Sequence, residues 1–135
     1  MADLAITAAN VVSRNGSRTE DRNAGAVVTA GQVVYLDEAD DRCKLADCDG
    51  AAALRKPRGI ALNGAAVGQP LKIHRSGPIT IGAVLVPGTT YYLSPTPGGI
   101  APIADLSAGD YPTIIGIAIS ASVLDVQIHE SGVAL

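Results

Sequence analysis

The chain has no Phe and no Trp, one Met and only two Cys in 135 residues. Without large aromatics the core has to be assembled from Val, Ile, Leu and Ala, each of which buries less apolar area than a ring does. The same absence removes the stacking platforms on which single-stranded nucleic acid is held. Cationic charge is one-sided: all ten Lys and Arg lie at or before Arg75. A net charge of −3 leaves no basic face to release counterions, so no nucleic acid is expected as a partner. From Ser76 to Ala104 no residue is charged. That run is no membrane span, because Pro78, Pro87, Pro95, Pro97 and Pro102 interrupt it, and no membrane partner is expected. It reads as buried strands with some side chains facing another subunit. The first residues carry no basic region followed by a long apolar segment, so no signal peptide is expected.

The residue types that carry chemistry are present but not grouped. Cys43 and Cys48 match no common zinc spacing and have no His nearby in sequence; two free thiols are expected, with a local disulfide as the alternative. The acidic stretch Asp37-Glu38-Ala39-Asp40-Asp41 lacks the oxygen spacing and closing Glu of a calcium loop, and reads as a solvated hairpin tip. Pro97-Gly98-Gly99 fits no phosphate-loop spacing. No Ser, His and Asp grouping has a nucleophile context, and nothing in sequence holds any two of Asp105, Asp110 and Asp125 together. The expectation is a protein without enzymatic activity, cofactor or metal.

What the chain does contain is a repeat. At an offset of 57 residues Gly31 matches Gly88, Tyr35 matches Tyr92, Leu36 matches Leu93, and Gly59-Ile60-Ala61-Leu62 matches Gly116-Ile117-Ala118-Ile119. The copies span about 30–74 and 87–129, and residues 78–86 bridge them. Leu71-Lys72-Ile73-His74 matches Val126-Gln127-Ile128-His129 at an offset of 55. Leu71 and Ile73 are expected to face inward, with Lys72 and His74 outward; Leu124, Val126 and Ile128 are expected inward, with Asp125, Gln127 and His129 outward. On this pattern His74 and His129 are equivalent outward residues rather than metal ligands.

Eight to ten short strands with turn signals between them predict one antiparallel β-sandwich or barrel domain over residues 1–135. Leu4 to Val12 is expected as a first strand, and Ala51 to Lys56 as a short helix ended by Pro57. Ser13 to Gly25, with Arg14, Arg18 and Arg22 at four-residue spacing around Asn15-Gly16-Ser17, reads as a mobile loop or arm. Its arginines are candidates for pairing with a partner's carboxylates, and a solvated surface loop is the alternative. Ile79, Ile81, Val84, Tyr91 and Tyr92, in the uncharged run, are candidates for packing against another subunit.

These motifs carry a resemblance. Ala30-Gly31-Gln32-Val33-Val34-Tyr35-Leu36, Lys44-Leu45-Ala46-Asp47, Gly77-Pro78-Ile79-Thr80-Ile81-Gly82 and Tyr91-Tyr92-Leu93-Ser94 with Pro97-Gly98-Gly99-Ile100-Ala101-Pro102 resemble the capsid cement, or head decoration, proteins of tailed bacteriophages. The resemblance covers about Ala26 to Leu135. It implies an all-β, often jelly-roll-like fold made in the host bacterial cytoplasm and carried on the outer capsid surface of the virion. There it would clamp adjacent major capsid protein subunits. Association with itself, as a homodimer first and a trimer second, is also expected. The alternative is another small virion module associated with the tail or fibre.

Overall fold

The computed structural model describes residues 3–135. Short runs of β-branched, aromatic and aliphatic residues between Gly-containing turns form ten strands. They are β1 (Val12–Ser13), β2 (Arg18–Ala24), β3 (Val33–Asp37), β4 (Arg42–Leu45), β5 (Gly59–Ala61), β6 (Pro70–Thr80), β7 (Thr90–Leu93), β8 (Ile100–Pro102), β9 (Thr113–Ala118) and β10 (Val123–Glu130). The only helical pieces among the described residues are two 3-10 turns, Ala8–Asn10 and Ile103–Asp105. None is long and apolar enough to cross a membrane. The protein is all-β as expected, and every strand pairing is antiparallel except β2 with β4.

Strand order is β2-β4-β3-β5-β6-β10-β9-β7-β8, with β1 beside β6 and β2 pairing β6 as well as β4. That second pairing of β2 closes β2, β4, β3, β5 and the first part of β6 into a ring around Val28, Val34, Cys43, Ala61, Leu71 and Ile73. The larger core cluster joins the other face of this ring to the inner face of the second half: Val33, Tyr35 and Ile60 meet Leu93, Ile100, Ile115 and Leu124. Strand β3 is therefore buried on both faces, which is why Val33-Val34-Tyr35-Leu36 is continuously apolar rather than alternating.

The repeat is a repeat of register. Val34 pairs with Leu45 and Tyr91 with Pro102; Leu36 pairs with Cys43 and Leu93 with Ile100. Val34 opposite Gly59 likewise becomes Tyr91 opposite Gly116. Turn hydrogen bonds keep the same offset, Gly31 N–H to Ala61 O at 2.8 Å and Gly88 N–H to Ala118 O at 2.7 Å. The last strand departs from the sequence match. Ala61 pairs with Ile73 and Ala118 with Leu124; Ile60 pairs with His74 and Ile117 with Asp125. The offset there is 51 rather than 55. Both values are odd, so apolar alternation fits either one and only the pairing separates them.

The bridge between the copies is itself a strand. Glu20 of β2 pairs with Ile73 in the first part of β6, and Ile79 in its last part pairs with Leu124 of β10. The 11-residue β6 thus ends the first copy and begins the second. At the far edge, Leu4 N–H bonds Ile100 O and Thr7 N–H bonds Gly82 O, each at 2.8 Å, so the N-terminal segment links β8 to the end of β6. The copies stay on their own sides and meet along β6 and β10, without the interleaving of a jelly roll's two Greek keys.

Three local expectations are corrected. Residues 13–25 are not a free arm: Arg18–Ala24 is β2, paired along β6 from Pro70 to Ser76. Leu4 to Val12 is not one strand, since it turns at Ala8–Asn10 before β1. Ala51 to Lys56 forms turns closed by Leu54 N–H to Ala51 O and Lys56 N–H to Ala53 O, because six residues before a proline are too few to propagate a helix.

Candidate functional site: an arginine-lined cleft and an uncovered sheet face

Strand β2 alternates, but of its residues only Ala24 at its end is an apolar core residue. Glu20 and Arg22 are half-buried, whereas Thr19, Asp21 and Asn23 are exposed. The inward position of Glu20 is satisfied by charge. Arg58 grips it with two parallel bonds, Nε to Oε2 at 2.9 Å and Nη2 to Oε1 at 2.8 Å. Arg22 Nε reaches Oε2 at 3.2 Å, and Arg75 Nη1 stands 3.5 Å from Oε1. Hydrogen bonding from Arg58, with Arg22 and the charges of both, outweighs burial and holds the Glu20 carboxyl down at about 2. Arg58 is itself positioned by its backbone, whose N–H bonds Val34 O at 2.7 Å.

Beside this cluster opens a cleft of about 780 Å³ between β2, β6, the loop before β5 and β10. Its lining contains Arg18, Arg58 and Arg75 against the single acid Glu20, with Ser76 and Gln127 as neutral hydrogen-bonding groups. The three arginines expected on one arm do not share a surface. Arg14 donates to Thr80 Oγ1 at 3.3 Å, in a separate hollow with Val12 and Ile119. Arg18 enters the cleft. Arg22 is held between Glu20 and Asp41. The sequence reading missed Arg58 and Arg75, because only the pairing of both β2 and β5 along β6 brings positions 18, 58 and 75 together.

The subunit-packing candidates also divide. Ile79, Ile81 and Tyr91 are buried in the chain's own core and cannot face another subunit; their alternation with neighbours turns them inward. The Tyr91 hydroxyl accepts the N–H of Val86 at 3.0 Å. Tyr92 is half-buried, and Val84 is 87% exposed. Comparing the copies shows why apolar surface remains. Tyr35, Ile60 and Leu62 lie against the core, whereas of their matches Tyr92 is half-buried and Ile117 and Ile119 are exposed. Ile60 is fully buried while Ile117 is 47% and Ile119 60% exposed. Leu85 N–H to Ala121 O and Gly88 N–H to Ala118 O run residues 85–88 beside 118–121, which places Val84 and Val86 next to this stretch.

His74 is a further correction. It is on the side of β6 opposite Ile73, as alternation requires, but Ser13 of β1 reaches its ring and His74 is fully buried. Its Nδ1 lies 2.7 Å from Ser13 Oγ and its Nε2 lies 2.8 Å from Gly77 O. The carbonyl can only accept, so Nε2 carries the proton and Nδ1 accepts from the serine hydroxyl. Burial holds the imidazole below its usual range, against a smaller opposing effect of the Gly77 bond and Asp125. His129 is exposed. Among the described residues no three His, Cys, Asp or Glu side chains are grouped to hold a metal ion. Cys43 and Cys48 are free and buried, as expected, in different core clusters.

A scan of protein-family models finds no match to this sequence, and a search of curated proteins finds none.

Proposed function

We propose that the protein is a structural virion component, a cement protein that binds the outer surface of an icosahedral phage capsid and clamps adjacent major capsid protein subunits. The observation that carries this reading is the uncovered face of the second copy. The first copy buries Tyr35 and Ile60 under the second, but among the described residues no third layer buries the equivalent Ile117, and Tyr92 is only half-buried. Ile117, Ile119, Val84 and Val86 are exposed apolar side chains on this half of the molecule, the kind of surface that marks a protein partner. A clamp requires no chemistry, only area: roughly 1,200–2,000 Å² makes a stable interface, and many copies on one shell act together. The sequence resemblance supplies the identity of the partner.

Co-sedimentation with expanded phage capsids tests the reading. The wild type is expected to pellet with capsids at saturating concentration, and Ile117→Asp with Ile119→Asp to abolish pelleting while leaving the melting temperature near that of the wild type. No wild-type binding, or undiminished binding of the double variant, overturns it. Immunogold label confined to tails would assign the protein to the tail or fibre instead. Deleting 13–25 is unsuitable as a test, since it removes a wall of the first ring.

A further inference from the structure

We infer that the cleft beside Glu20 is a carboxylate-binding site that takes an acidic segment of a partner protein. Arg58 already shows the chemistry, holding one carboxylate with a two-pronged fork. Two more guanidinium groups line the same cleft with donors left over. Among the described residues Arg18 has no hydrogen-bond or ion-pair partner. Among the described residues the one ion pair of Arg75 is the 3.5 Å approach to Glu20, whose oxygens are already held at shorter range by Arg58 and Arg22. Three cations against one anion leave the cleft with two uncompensated positive charges in a chain whose net charge is −3.

The ligand class follows from charge and size. At about 780 Å³ the space exceeds what a lone carboxylate fills, and Ser76 and Gln127 on its walls can bond peptide groups. The neutral groups of Ser76 and Gln127 suit the amides of a peptide rather than a lone phosphate, and the chain's net negative charge opposes nucleic acid. An extended peptide with two acidic side chains, one for Arg18 and one for Arg75, matches both the charge and the neutral donors. This site is distinct from the apolar face, so it stands or falls independently of the capsid reading.

The test is binding of a fluorescein-labelled hexaglutamate peptide to the full chain, followed by anisotropy at low salt. Measurable affinity is expected, weakened about tenfold or more by Arg18→Ala and by Arg75→Ala, each of which removes charge-assisted bonds. Arg75→Lys is expected to recover only part, since the charge survives but the fork does not. Lys72→Ala, an exposed cation outside the cleft, is the control and is expected to leave affinity unchanged. Absence of binding overturns the inference. So does an equal loss in Lys72→Ala, which would mean diffuse attraction, or displacement of the peptide by inorganic phosphate at a lower concentration than by acetate, which would mean a phosphate site. Both arginines are exposed, and coincident melting curves establish that the variants fold.

Discussion

Gly59 and Gly116 occupy the same place in the two copies, each with its Cα pressed against a carbonyl oxygen of the adjoining strand, that of His74 for the first and that of Asp125 for the second. A methyl group at either position would have to displace backbone rather than a side-chain tip. Gly59→Ala and Gly116→Ala are each expected to cost about 1–3 kcal/mol, the range for forced overpacking. Urea denaturation should return similar losses for both, because the register that creates the contact is the same. A neutral effect at either position would contradict the duplicated register.

The ion cluster around Glu20 makes a pH-dependent contribution. Its carboxyl is held at about 2, below the ordinary value of 4.5. The unfolded chain therefore takes up a proton more readily, and the contribution is fully present above the ordinary value and lost as pH falls through the folded one. Urea midpoints between pH 6 and pH 2 should fall less steeply for Glu20→Gln than for the wild type. At pH 7 that variant should be less stable by about 1–2 kcal/mol, the scale of charge-assisted bonds at a partly solvated site.

His74 acts in a higher window. Its folded value is depressed by burial, so its contribution is fully present above the unfolded value of 6.5 and lost as pH falls from there through the lower folded value. Wild-type stability should decline between pH 7 and pH 5, and His74→Gln should remove part of that slope. Nitrogen NMR shifts at pH 7 should report a proton on Nε2 alone. Ser13→Ala should cost about 1 kcal/mol by leaving Nδ1 without its donor.

The two thiols should be inert while the chain is folded. Burial pushes Cys43 up to about 11 and Cys48 up to about 12, and the thiolate is the reactive form. Iodoacetamide at pH 8 is expected to modify neither in the native protein and both in urea, read by mass spectrometry. Rapid native modification of either would contradict its placement in the core.

Much of the fold was legible because its turns and glycines recur. Gly31 and Gly88, or Gly59 and Gly116, sit where the chain needs the same backbone approach twice, so both copies spelled them alike. Strand β2 was hidden for the opposite reason. Of its inward positions Glu20, Arg22 and Ala24, the first two are satisfied by ion pairs and only the last is apolar, so no apolar alternation marked it. The site was harder still. Nothing local tells that Arg58 and Arg75 will converge on Glu20, or that Ile60 will be covered while its match Ile117 is not. The first depends on closing a ring and the second on how two copies stack, and both are long-range outcomes.

Sharing β6 between the two copies has a mechanical consequence. Melting either copy takes away a wall of the other, so neither can come apart while its neighbour stays whole. Calorimetry and near-ultraviolet dichroism should accordingly trace one coincident transition. A load applied to one end of the chain's fold would pass along a single eleven-residue strand to the other end, with no hinge or linker between them to yield first.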